Sequence, residues 1–159
     1  MILVAILSII LIWLHISSLR FIIKTNSNHS IIEETEKLES VLLEEERNIS
    51  LTSGPGLASL VIIILLNLIE IGYFTASVYF FGGLIITVGS SILIGYTLYS
   101  LVKFIPNIKK YYSKPSEYLK EKTTGFENIL SFIMTSFEII FCLFVLVKVI
   151  IQYRLFENL

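Results

Sequence analysis

A chain of 159 residues with 55% hydrophobic and only 16% charged residues, at a mean hydropathy of +0.82, is too apolar for a soluble domain, which averages about 45–50% apolar and about 25% charged residues. A net charge of −1 gives no electrostatic basis for nucleic-acid binding. The single cysteine, Cys142, excludes an intrachain disulfide and reads as a small buried hydrophobe.

The first element is residues 1–23, MILVAILSIILIWLHISSLRFII. About 20 apolar residues suffice to cross a ~30 Å hydrocarbon core. The stretch has no basic start and no small-residue cleavage site, so it is expected to be a retained span rather than a signal peptide. Arg20 and Lys24 lie at its end.

A polar segment follows, residues 24–55. It holds seven glutamates against Lys24, Lys37 and Arg47, a net of −4. Ser30 and Glu33 fit a capping box. Ile31, Leu38, Leu42 and Ile49 fall near one face at helical spacing. An acidic amphipathic helix is predicted over about 31–48. Two N-x-S/T triplets, at Asn28 and Asn48, would matter only if this segment faced a secretory lumen.

Residues 57–102 are almost unbroken apolar sequence with one charged side chain, Glu70. The run is long enough for two spans. An even division falls at SVYFFGGL, where Gly82 and Gly83 suit a turn. The second span is placed at about 57–78 and the third at about 83–103. In the third, Gly83, Thr87, Ser91 and Gly95 recur every four residues, a small-residue seam of the kind that lets helices approach closely in lipid.

Residues 103–124 are expected to form a lysine-rich loop. Six lysines stand against Glu117 and Glu121, a net of +4. Two loops of opposite charge could dock on one another, with Glu44, Glu45 and Glu46 facing Lys109 and Lys110. The fourth span is placed at about 128–148, with Ser131, Thr135, Glu138 and Cys142 on one face. Lys and Arg concentrate in the two loops, so both are predicted to be cytoplasmic and both termini outside. The location that follows is a plasma membrane, bacterial or other.

The expected fold is therefore all-α: one integral membrane domain over 1–159, with four transmembrane helices and one short cytoplasmic amphipathic helix. Its partners are the lipid bilayer and another membrane protein or a second copy; no nucleic acid is expected.

Chemistry is sparse. An ionised carboxylate at mid-membrane is costly, so it is expected to be held neutral or to find a partner. Glu70 and Glu138 are predicted at similar depth, about 20 and 15 Å from the cytoplasmic side at 1.5 Å per residue. Asn67, Ser131 and Thr135 are the expected hydrogen-bond partners. His15 is expected nearer the cytoplasmic face, and with His29 it is isolated, so no metal site and no cofactor are predicted. No hydrolase, zinc-protease or nucleotide-binding motif is present. Glu44-Glu45-Glu46-Arg47 lies in a polar loop with no matching histidine pattern and is not read as a protease motif. An enzyme is not expected. The leading expectation is an accessory, regulatory or immunity-type subunit acting through helix and loop contacts. The alternative is an oligomeric proton or cation channel, or a holin-like permeabiliser, using the intramembrane glutamates.

Overall fold

The computed structural model describes residues 1–27, 30–41, 55–123 and 126–157. These are all-helical: α1 Ile2–Ser27, α2 Ser30–Val41, α3 Pro55–Phe81, α4 Leu84–Ser113, α5 Pro115–Thr123 and α6 Phe126–Glu157. Four of them contain stretches long and apolar enough to cross a membrane: Ile2–Lys24, Leu60–Phe81, Leu84–Ile108 and Phe126–Tyr153.

The turn falls where the glycines predict it. Gly82 N–H donates to Val78 O and closes α3, and Gly82 and Gly83 take φ of 56° and 83°. Only glycine adopts this left-handed region without steric cost, so α3 and α4 reverse direction within two residues.

The long helices pack as two pairs. α1 lies mainly on α6, and α3 mainly on α4, with less contact between the pairs. What joins the pairs is concentrated toward the Gly82–Gly83 end. Tyr73, Phe74, Leu93, Phe141, Cys142 and Val145 are buried there. Phe74 meets Phe141 edge-on, with ring centroids 5.7 Å apart. Ser8 and Tyr73 share a 2.8 Å hydroxyl hydrogen bond between α1 and α3.

Beside this core, polar side chains are also buried while large apolar ones lie outside. Ser8, His15, Ser77, Ser90, Thr97, Thr135 and Glu138 are buried. Trp13, Leu84, Ile85, Ile133 and Ile140 are more than half exposed. A soluble fold does the reverse.

Three expectations meet specific geometry. First, the small-residue seam, whose partner the sequence left open between another span and another copy, faces away from the other described helices. Gly83, Thr87, Ser91 and Gly95 all face outward. The close approach of α4 is on its other side, at buried Gly89, where a Cβ would stand 2.8 Å from the Phe141 ring of α6. Second, most of 103–124 is not a loop. α4 runs through Pro106 to Ser113, and α5 follows after Lys114. A proline removes one helical hydrogen bond, and here that does not stop the helix. Lys114 N–H closes it by donating to Lys110 O at 2.9 Å.

Third, the segments of opposite charge meet, among the described residues, through Glu36 and Glu39. Glu39 of α2 accepts both the backbone N–H and the hydroxyl of Ser116, at 2.7 and 2.6 Å. A carboxylate thus satisfies an orphan donor in the first turn of α5 and complements its dipole. Glu36 pairs with Lys120. Lys110 instead bridges to Glu117 and Glu121 of α5, at 3.1 and 2.5 Å. Those contacts raise Lys110 above its ordinary value and lower Glu117 below its own. Glu44, Glu45 and Glu46 lie outside the described residues, as does the Lys109 side chain. The acidic helix is described to Val41; its predicted remainder also lies outside them.

The Gly89 contact yields a test. Gly89→Leu overpacks the α4–α6 crossing and is expected to lower stability by about 1–3 kcal/mol. Gly95→Leu, with nothing within 4 Å of its Cβ, is expected to be neutral. Thermal unfolding of both variants in the same detergent checks the pair.

Candidate functional site: a histidine between two glutamates

Glu70 is the only charged side chain between residues 57 and 102, and the fold supplies its surroundings. His15 of α1, Glu70 of α3, Thr97 of α4 and Glu138 of α6 converge inside the bundle. Counted from the lysine-rich ends of the spans, Lys24, Leu60, Ile108 and Phe126, they lie roughly 14–18 Å in at 1.5 Å per residue. Each helix brings one polar group to a common level.

The geometry is linear. His15 Nδ1 lies 3.1 Å from Glu138 Oε2. On the other side of the ring, Nε2 lies 3.8 Å from Glu70 Oε1, beyond hydrogen-bond length. Nε2 is buried and makes no hydrogen bond. Glu70 Oε2 accepts a long 3.5 Å bond from Thr97 Oγ1. The imidazole is thus flanked by a carboxyl on each nitrogen. The His15 and Glu138 side chains are 8% and 5% exposed, and Glu70 is 21% exposed. Glu70 is the open member.

One turn farther from the lysine-rich end, each helix places an apolar side chain in register with the site, with the buried hydroxyls of Tyr73, Ser8, Ser77 and Ser90 beside and beyond them. His15 is followed by Leu11, Glu70 by Phe74, Thr97 by Leu93 and Glu138 by Phe141, all buried. The site has a floor on that side. On the other side lies a cavity of about 1140 Å³ between the helix pairs. Its walls run from His15, Glu70 and Glu138 past Tyr96, Ser131 and Thr135 to Lys103, Tyr118, Glu121 and Glu127. Lys103 and Glu127 form an ion pair across α4 and α6. Lys103 is the only lysine or arginine among the described lining residues.

The predicted glutamates and the polar face of α6 do share this cavity, but the expected hydrogen bonds are replaced. The Asn67 amide donates to Ile63 O of its own helix, at 2.7 Å. The Ser131 hydroxyl receives a 3.3 Å bond from Tyr96. Thr135 is buried and lines the cavity. The direct partners of the carboxyls are His15 and Thr97. The expectation that His15 sits nearer the cytoplasmic face is overturned. His15 stands level with both carboxyls, 3.1 Å from Glu138 and 3.8 Å from Glu70. A signal was present: Val4, Ser8, Leu11 and His15 are spaced 4, 3 and 4, the inner face of one helix.

Chemically, the arrangement can pass a proton. Imidazole can exchange a proton with Glu138 at Nδ1, whereas exchange between Nε2 and Glu70 needs the 3.8 Å gap to shorten or a bridging donor in it. No group of three metal-ligating side chains with metal-site geometry occurs among the described residues.

The dependence of His15 on its partner is measurable. Glu138→Gln keeps a hydrogen-bonding group beside Nδ1 and is expected to fold like the parent. Glu138→Leu strands the imidazole and is expected to cost ~0.6–2 kcal/mol, the range for single polar contacts in membrane bundles. Unfolding of the two variants in lipid–detergent mixtures checks the difference.

Compared with known proteins, the chain matches no family model, no curated protein and no solved structure.

Proposed function

We propose that this chain is a multi-pass membrane protein that handles protons or small cations. In this reading its Glu138–His15–Glu70 relay is loaded from the lysine-rich side. The carrying observation is the position of His15, bridging two carboxyls at the floor of a cavity that reaches the lysine-rich end. Insertion is supported by the four long apolar helices and by their outward apolar faces. Without water, polar groups in such a bundle are driven inward to one another. A charged relay is an expensive way merely to hold helices together, since apolar packing does that at no desolvation cost.

Beyond Glu70 the helices present Phe74, Leu93 and Phe141 together with the buried hydroxyls of Tyr73, Ser8, Ser77 and Ser90.

A second reading is an accessory or regulatory subunit. One observation favours it: the stripe of Gly83, Thr87, Ser91 and Gly95 faces outward and is uncovered within the chain, where a neighbouring membrane helix could seat.

Two experiments test these proposals. In a Cys142→Ser background, Lys37→Cys and Lys114→Cys are expected to label from the same side of the membrane, and Tyr153→Cys from the other. Labelling of 37 and 114 from opposite sides overturns the four-span arrangement. In sealed proteoliposomes with an internal pH dye, the parent is expected to carry protons down a gradient. Glu70→Gln and Glu138→Gln should retain the fold and lose that flux, because an amide does not exchange a proton. A parent without flux removes the proton reading and leaves the accessory one.

A further inference from the structure

We infer that the cavity binds a primary organic ammonium ion, with its –NH₃⁺ group seated between His15 Nε2 and Glu70. The inference uses the cavity that the proton reading uses, and extends that reading by naming a ligand.

The two ends of the cavity differ in charge. At the mouth, the lysine is already neutralised by Glu127. At the floor there are two carboxyls and no lysine or arginine among the described lining residues. A cation is the complementary occupant. The volume, about 1140 Å³, is that of a cavity that holds a small organic molecule rather than a bare ion.

The kind of cation follows from the unfilled valence. In the tautomer that places the ring proton on Nδ1, facing Glu138 at 3.1 Å, His15 Nε2 is a lone-pair acceptor. It is buried, has no hydrogen-bond partner, and belongs to a side chain only 8% exposed. A lone pair of this type asks for an N–H or O–H donor. The 3.8 Å gap to Glu70 Oε1 is too long for a direct bond, while one ammonium nitrogen placed beside it can donate to both atoms. A quaternary ammonium carries the charge but has no hydrogen to give. A hard metal ion would want several oxygen ligands in a shell, and no such group is present among the described residues. Above the floor, the walls offer the aromatic rings of Tyr96, Tyr99 and Phe104. Tyr99 already carries Lys103 Nζ over its face at 5.6 Å, so this wall accepts an ammonium by cation–π attraction.

The test uses three ring compounds of similar shape on the full-length protein in lipid nanodiscs, by titration calorimetry. Benzylamine has the charge and the N–H donors. Benzyltrimethylammonium has the charge alone. Benzyl alcohol has a donor without charge. Benzylamine is expected to bind at one site per chain, and each of the others roughly tenfold or more weakly, the loss of one charge-assisted interaction. Glu70→Gln should weaken benzylamine by a similar factor while eluting as a folded protein. Equal binding of the two cations overturns the role of Nε2. Equal binding of the alcohol overturns the cation site, and so does unchanged binding by Glu70→Gln. Proton flux without benzylamine binding removes the ligand and spares the relay; absence of both removes both. Because the ligand series is run on the parent chain, the inference remains falsifiable even where a variant fails to fold.

Discussion

The structure is organised by one electrostatic constraint: a carboxyl carried into an apolar bundle must be matched there, because no solvent is at hand to do it. Glu138 is 4% exposed, and its match is an imidazole from the helix farthest away in sequence. That requirement fixes the rotation of α1, since His15 can reach Glu138 only if Val4, Ser8 and Leu11 also point inward. It fixes the pairing of α1 with α6, the closest packing in the molecule. It also fixes the relative heights of the helices, because the ring is only long enough to span carboxyls at one level.

The bundle divides at that level. Toward the Gly82–Gly83 turn, aromatic and aliphatic side chains fill the space between the helix pairs. Toward the lysine-rich end the pairs separate around a polar cavity, and short α5 contributes Tyr118 and Glu121 to its wall. α5 is held by α2 through Glu39 and by α4 through Lys110. The individual ion pairs at this rim are solvated, and such pairs are individually weak. Glu39 is different, because it satisfies backbone and side chain of the same residue in a first helical turn. The acidic and basic character of the two segments is therefore more than solubility: it shapes the mouth.

Much of the fold was legible in the sequence. Apolar runs set the number of long helices, and a glycine pair set the turn. Depth was legible only to within a turn. A few residues of error in where a span starts shift an expected depth by about 4–5 Å, enough to separate contact from no contact between His15 and the carboxyls. The small-residue pattern left its partner open for a physical reason. Gly89 and Gly95 are equally small, and periodicity shows that four residues share a face but not which face the neighbour occupies. The neighbour is chosen by Phe141, on another helix, whose ring needs a missing Cβ. The helical nature of most of 103–123 was not legible in its lysines, which mark polarity rather than conformation; Pro106 sits inside α4 at the loss of one hydrogen bond.

The Gly89–Phe141 contact also has a mechanical meaning. It is a close approach between the helix pairs, and its Phe141 stands one turn from Glu138. Along α4, Lys103 stands fourteen residues beyond Gly89, roughly 21 Å at 1.5 Å per residue. With that contact as pivot, a swing of about 5° carries the mouth through roughly 2 Å, the difference between a made and a broken Lys103–Glu127 pair. The same swing moves Glu70, seated between pivot and mouth, by a smaller distance. A bundle fastened at one end is a lever, with its fine adjustment at the relay and its coarse one at the rim.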